Sequence, residues 1–335
     1  MKIGVLGAGT WGIALASLLV SNGHDVSLWS AIPSEIDELK ETGIHRNLPG
    51  IILPKTIEYT TDIKFLAEEA EMILMVVPSS FVRVTTEKIA PYLKNDVILV
   101  TAAKGIEGGS LMTMSEIISD VIDHARPELN YYVAALSGPT HAEEVAQGIP
   151  TSIVSACEVE EISTKIAEAF ANSCMRVYTN TDVKGVEISG AMKNIIAIAA
   201  GILTGMKLGD NTKAMLMTRG IAEITRLGLA MGCKRRTFMG LAGIGDLIVT
   251  CTSRHSRNNR CGELIGGGMS YEEASKEIGM VVEGYHALEA AMQLSEKYDV
   301  SLPITEAVYN VIKCGLSPKD AVHALMTRDM KSELD

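Results

Sequence analysis

Lys193 lies between Gly185-Val186-Glu187-Ile188-Ser189-Gly190-Ala191-Met192 and the run Asn194 plus Ile195–Ala200. A lysine among small and apolar residues is costly unless it faces a cleft. There, desolvation and a neighbouring cation such as Lys104 both lower an ammonium pKa toward the range useful for acid–base catalysis. Without other clues, the commoner arrangement is a lysine snorkelling from a half-buried helix. Lys104 follows the strand Val97–Thr101 in Thr101-Ala102-Ala103-Lys104-Gly105, so it emerges at the strand's carboxyl end, where a substrate cation belongs. Taken alone, it reads equally as a surface loop lysine. Asp246 comes just after two glycines in Leu241-Ala242-Gly243-Ile244-Gly245-Asp246-Leu247, where backbone can approach a ligand closely. Downstream, Arg254, Arg257 and Arg260 recur every three residues with hydroxyl and amide side chains between them, a composition suited to phosphate. Arg254 and Arg260 divide evenly between that role and a solvated helix face. Arg257, flanked by Ser256 and Asn258, is the stronger candidate. Ser137-Gly138-Pro139-Thr140-His141-Ala142-Glu143-Glu144 opens a helix with Thr140 as N-cap and Glu143 as its capping-box partner, a terminus that can hold an anion. His141 reads more readily as a surface or packing residue than as an acid or base.

These groups need a scaffold, and the N-terminus supplies one. Met1–Gly9 reads MKIGVLGAG, a short apolar strand running into a glycine turn that Gly12 completes. Gly7 permits the tight turn, Gly9 lets a dinucleotide pyrophosphate approach the backbone, and Gly12 lets the next helix pack on the strand. A lone GxGxxG is weak, but here it stands between the strand Ile3-Val5-Leu6 and the apolar helix Ile13–Val20, with a second strand at Val26–Trp29. Strand candidates continue at Glu58–Thr60, Met72–Val77, Val97–Thr101, Tyr132–Leu136, Thr151–Ser155 and Met175–Tyr178, alternating with helical segments. That pattern predicts a parallel, doubly wound sheet of Rossmann type covered by helices. At Val76-Val77-Pro78-Ser79-Ser80 a buried strand stops at Pro78, and a serine caps a helix from about Phe81. Beyond Asp182, helical periodicity takes over through Val183–Leu203, Thr212–Met231, Tyr285–Tyr298 and Pro318–Met326. The expected division is a dinucleotide-binding domain over residues 1–181 and an all-α substrate and dimerisation domain over 182–335.

Length and composition agree. A chain of 335 residues, 47% hydrophobic, exceeds the size at which one core stops growing. The most apolar stretch, Ile195–Leu203, is far short of the roughly 20 residues a membrane span needs, so no membrane insertion is expected. Met1-Lys2 leads directly into a strand with no cleavage-type site, so no signal peptide is expected. Six scattered cysteines without a CxxC pair suit reduced thiols in a cytosol, and indicate neither a disulfide framework nor a metal site. A net charge of -11 disfavours non-specific nucleic-acid binding. The 17 methionines form no stripe and read as core filling.

Together the motifs resemble the bacterial biosynthetic NAD(P)-dependent glycerol-3-phosphate dehydrogenases from Met1 to about Leu325. Five segments occur in family order: GAGTWGIALA at Gly7–Ala16, AAKGIE at Ala102–Glu107, SGPTHAEEV at Ser137–Val145, GVEISGAMKNIIAIAAGI at Gly185–Ile202 and LAGIGDLIVTCTSRHSRNNRCG at Leu241–Gly262. The resemblance implies that Lys193 is the catalytic acid/base, and that Lys104, Gly138, Thr140, Asp246, Ser256, Arg257 and Asn258 surround a phosphorylated triose. It also implies cofactor contacts from Thr10, Trp11, Lys104, Ala142, Arg257, Val281 and Glu283. In the implied reaction a reduced nicotinamide gives a hydride to the carbonyl carbon of dihydroxyacetone phosphate. Lys193 supplies the proton, and the product, sn-glycerol 3-phosphate, feeds phospholipid synthesis. A cytoplasmic homodimer joined through the helical domain is expected. One departure concerns the cofactor. The family commonly carries a basic residue after the second strand, where a 2′-phosphate would sit, whereas this chain reads Trp29-Ser30-Ala31-Ile32. Ser30 can bond either a ribose hydroxyl or a 2′-phosphate, so NAD or NADP is expected, with dual use or a lean toward NAD. Two other readings stand beside this one: a β-hydroxyacid-type dehydrogenase acting on a carboxylate, and a dinucleotide sensor without turnover. The arginine-rich segment speaks against the first, and the lysine in an apolar helix against the second.

Overall fold

Short, fully apolar runs build the centre of the sheet. The computed structural model describes residues 1–330 and 332–333; the remaining residues of the expected second domain, 331, 334 and 335, lie outside the described residues. Strands β1 (Lys2–Leu6), β2 (Asp25–Trp29), β3 (Glu58–Thr60), β4 (Met72–Met75), β5 (Val97–Thr101), β6 (Tyr131–Ser137), β7 (Thr151–Cys157) and β8 (Met175–Asn180) form one sheet in the order β3-β2-β1-β4-β5-β6-β7-β8. Helices α1 (Thr10–Ser21), α2 (Pro33–Thr42), α3 (Ile63–Glu69), α4 (Val82–Ile89), α5 (Met114–Ala125), α6 (Ala142–Ala146) and α7 (Glu160–Phe170) connect them. Met72, Leu74, Ile98 and Val100 pack with α1, α2 and α7 on one face. Their neighbours Ile73, Met75, Val97 and Leu99 pack with α3, α4 and α5 on the other. Covering on both faces is why these strands carry no polar alternation. Strand order reverses beside β1, which pairs with both β2 and β4, and ligands of open α/β sheets gather at the carboxyl ends there.

Three local expectations are corrected. The sheet is mixed: β7 runs antiparallel to β6, although every other pair is parallel. A parallel crossover takes a helix of useful length, and the connection 138–150 holds only the five-residue α6. The helix expected from about Phe81 begins as a 3-10 turn at Ser79–Phe81 and becomes α4 at Val82, and neither start has a side-chain cap. Thr140 is not an N-cap. His141 holds that position without a side-chain cap bond, and the Thr140 hydroxyl donates instead to the Gly138 carbonyl, so no capping box forms.

Among the described residues, no strand follows Asn180. The chain continues as α8 (Val183–Gly205), α9 (Asp210–Ala230), α10 (Arg235–Phe238), a π turn at Leu241–Gly245, α11 (Asp246–Thr252), α12 (Arg257–Gly266), α13 (Tyr271–Ile278), α14 (Glu283–Tyr298), α15 (Pro303–Lys313) and α16 (Pro318–Met326). Two compact units result. One comprises Met1–Gly190 with Arg236–Asp246, the other Ala191–Arg235 with the chain from Leu247 on. The first therefore includes a returning segment, in which Leu241 and Ala242 join Val183 and Val186 over Ala135, Val154 and Ala156 of the sheet. Helix α8 is long and apolar enough to cross a membrane, but all of its apolar window is buried inside the protein. In the helical unit, α8 and α12 approach backbone to backbone. A Cβ on Gly201 would stand 1.9 Å from the Asn259 carbonyl oxygen, and one on Gly262 2.0 Å from that of Ile198. Gly205 and Gly266 repeat the approach one turn on.

Candidate active site

The glycine turn has the shape the sequence requires. Gly7 adopts a φ of 122°, and a Cβ there would press on the Val76–Val77 backbone at 3.0 Å. Gly12 sits so close that a Cβ would lie 2.0 Å from the Gly7 carbonyl oxygen. Gly9, the N-cap of α1, faces open space, with nothing within 4 Å of the position a Cβ would take. No side chain caps α1 and no acid occupies its first turn, so its leading amides are left for an anion. These features fit a dinucleotide pyrophosphate. Thr10 and Trp11 form the first turn, half-buried, and the Asn47 amide reaches the Thr10 hydroxyl at 3.3 Å. Ser30, just past β2, is buried, and its hydroxyl donates to the Glu35 carboxylate at 2.6 Å. Ala142 opens α6 and packs on the core beside α1.

A second set of groups in the same unit converges on Lys104. Its Nζ donates to Oδ2 of Asp246 at 2.7 Å, and the Asp246 side chain is only 2% exposed. A Cβ on Gly190 would lie 3.3 Å from the Ser137 hydroxyl and 3.5 Å from the Lys104 stem. Gly138 packs against Ile153, and Gly245 stands beside Pro139. The Ser137 hydroxyl is buried and has no hydrogen-bond partner among the described residues. A buried hydroxyl of this kind beside a lysine–carboxylate pair is a ready ligand for a small polar molecule.

The helical unit holds the remaining candidates. Lys193 is 5% exposed, flanked on α8 by the fully buried Met192, Ile195 and Ile196, and its Nζ donates to the Thr250 hydroxyl on α11 at 2.5 Å. Burying an ammonium costs on the order of several kcal/mol, as for any desolvated ion, which sets Lys193 apart from the surface lysines. Asn194, its neighbour, accepts from the Asn258 amide at 3.1 Å, and Asn258 in turn accepts from the Gly284 amide at 2.9 Å. Asn258 is thus a brace between α8, α12 and α14. Ser256 is the N-cap of α12, its hydroxyl accepting from the Asn259 amide. Arg257 follows as the first residue of α12 and is exposed, as are Arg254 and Arg260. Val281, 38% exposed, precedes α14, which Glu283 opens.

A family model described as NAD-dependent glycerol-3-phosphate dehydrogenase N-terminus matches residues 2–163, and its C-terminus partner matches residues 182–323. The chain belongs to this family. Among curated relatives, glycerol-3-phosphate dehydrogenase [NAD(P)+] 2 of Lactobacillus delbrueckii subsp. bulgaricus is 52% identical over 333 residues, covering 99% of each chain. Glycerol-3-phosphate dehydrogenase [NAD(P)+] of Carboxydothermus hydrogenoformans is 49% identical, over 100% of this chain and 99% of that one. The solved glycerol-3-phosphate dehydrogenase of Coxiella burnetii superposes with a TM-score of 0.92 at 36% identity, covering 98% of this chain and 99% of that one. Within this dehydrogenase family fold, sequence reasoning singled out neither Thr250, Ser137 nor Glu35. Thr250 had one available signal, its place four residues after Asp246 on a helix. Ser137 and Glu35 had none: the burial of the first and the bond of the second to Ser30 depend on where the neighbouring strand and helix ends fall.

Proposed function

We propose that the chain interconverts dihydroxyacetone phosphate and sn-glycerol 3-phosphate as an NAD(P)-dependent oxidoreductase acting on a CH–OH group, making the product for glycerophospholipid synthesis. The observation that carries this reading is Lys193, an ammonium buried in an apolar helix and oriented by Thr250. Full-length relatives that carry the same enzyme name support it. When bound, a reduced nicotinamide supplies the hydride that reaches C2 of the triose. Lys193 Nζ gives its proton to the carbonyl oxygen as that oxygen becomes a hydroxyl, and it takes the proton back in the reverse direction. Water then reprotonates Lys193, so the balance is ketone plus hydride plus proton to alcohol. Lys104, held by Asp246, donates to the substrate oxygens and fixes their direction. Gly138 and Thr140 offer backbone and hydroxyl at the same strand end. Arg257 takes the phosphate, and the amides that Ser256 leaves open at the start of α12 assist. Asn258 acts by holding that helix start against Asn194. Gly7, Gly9, Thr10, Trp11, Gly12, Ser30 and Ala142 serve the dinucleotide in this reading, as do Val281 and Glu283. A cytoplasmic location, in keeping with cysteines that form no disulfide, and a homodimer through the helical domain complete the reading. Met215, Leu229 and Met269 give that unit exposed apolar side chains for such a contact.

The test is loss of reduced-nicotinamide absorbance when purified protein meets dihydroxyacetone phosphate. Turnover with NADH or NADPH is expected. Cofactor binding without turnover would return the weight to the carboxylate-substrate or sensor reading.

A further inference from the structure

The adenosine end of the dinucleotide site carries a charge arrangement that the strand sequence alone does not reveal. The end of β2 has neither an acid nor a base, but Ser30 recruits one from the next helix. Its hydroxyl accepts from the Ile32 amide at 3.1 Å and donates to the Glu35 carboxylate at 2.6 Å. Glu35 lies in the first turn of α2, and its own amide donates to the Ile32 carbonyl, so the residue is tied at both ends. In a dinucleotide fold an acidic side chain at the end of this strand receives the adenosine ribose hydroxyls; here Ser30, at that strand end, holds a carboxylate that comes from α2.

Arg46, on the loop after α2, donates to Glu38 at 2.5 Å, so that carboxylate offsets its charge. His45 lies over the glycine turn and bonds to the Ala8 carbonyl. Its Nδ1 accepts from the Asn47 amide, a role only the neutral ring can fill. Burial, with Arg46 next to it, holds the imidazole below its ordinary pKa, so it adds no positive charge at neutral pH. Glu35, Glu38, Arg46 and His45 thus sum to one net negative charge at the adenosine ribose.

We propose that Glu35, anchored by Ser30, makes this chain prefer NAD(H) over NADP(H), accepting the ribose hydroxyls and repelling a 2′-phosphate. The proposal rests on the dinucleotide reading of the glycine turn. It tells which of the two cofactors that reading admits is taken.

Isothermal titration of the protein with NADH and with NADPH, without triose, separates the two claims. NADH is expected to bind about tenfold or more tightly than NADPH. Glu35→Gln, which keeps the size and loses the charge, is expected to shrink that ratio by about tenfold, chiefly by improving NADPH. Ser30→Ala, which frees Glu35 from its anchor, weakens NADH about threefold with little effect on NADPH. A thermal melt of each variant reports that it is folded. Equal binding of both cofactors by the parent protein, or an unchanged ratio in folded Glu35→Gln, overturns the assignment of Glu35. Failure of both cofactors to bind overturns the dinucleotide reading itself, and this proposal with it.

Discussion

Lys193→Met removes the ammonium while keeping length and bulk, so α8 stays packed. Turnover is expected to fall about 10²- to 10⁴-fold, the range for loss of a general acid, with NADH affinity by titration unchanged. Near-normal turnover in the folded variant would take Lys193 out of the chemistry. Arg257→Ala is expected to weaken dihydroxyacetone phosphate about tenfold or more through loss of a charged hydrogen bond, and unphosphorylated dihydroxyacetone far less. Equal penalties on both would remove Arg257 from the phosphate. Lys193, Lys104 and Asp246 were legible from sequence because each breaks a local rule: a charge in an apolar helix, a cation after a strand, a carboxylate after paired glycines. Their partners follow no such rule. Thr250 looks like any helical threonine, and nothing in the sequence marks Asn258 as a brace to Asn194 and Gly284. Ser30 was legible as a position, but its bond to Glu35 was not, because that bond depends on α2 starting at Pro33.

At the level of elements, apolar runs of four or five residues with sharp ends made the strands readable, and all eight formed within three residues of expectation. Strand direction was harder, since β7 carries the same apolar pattern whichever way it runs. The close approach of α8 and α12 was also hidden: glycines in a helical stretch look like weak helix, not like a contact surface. Gly262→Ala puts a methyl group where the Ile198 carbonyl oxygen now lies, 2.0 Å away, and the helices must part. Overpacking of this kind costs about 1–3 kcal/mol, so Tm should drop by several degrees. Because α12 begins at Arg257, KM for dihydroxyacetone phosphate should rise with it. Gly108→Ala, where a Cβ meets nothing within 4 Å, is the matched control and should change neither. An unaltered Tm in Gly262→Ala would mean that the helices have room to spare.

For the molecule as a whole, stability should depend on pH through Glu187. This carboxyl, buried in α8, accepts from the Ser115 amide and hydroxyl, and burial pushes its pKa up to about 7. The folded protein then holds a proton that the unfolded chain has already released above the ordinary glutamate range. The stabilisation is complete below about pH 4.5, is lost progressively as pH rises to about 7, and changes no further beyond; the total is about 3 kcal/mol. Thermal melts across that window should flatten in Glu187→Gln; an identical slope would exclude the residue. Composition did reveal the change from mixed to helical structure near Asp182, but not the return of Arg236–Asp246 to the sheet unit, because a crossing of the chain leaves no mark on periodicity. That return matters on the ribosome. A nascent chain that has delivered all eight strands still lacks Leu241 and Ala242, which cover Ala135, Val154 and Ala156. At bacterial and eukaryotic synthesis speeds the gap lasts roughly 3–12 s, during which the sheet unit offers an open apolar face to chaperones and waits for the segment that ends at Asp246.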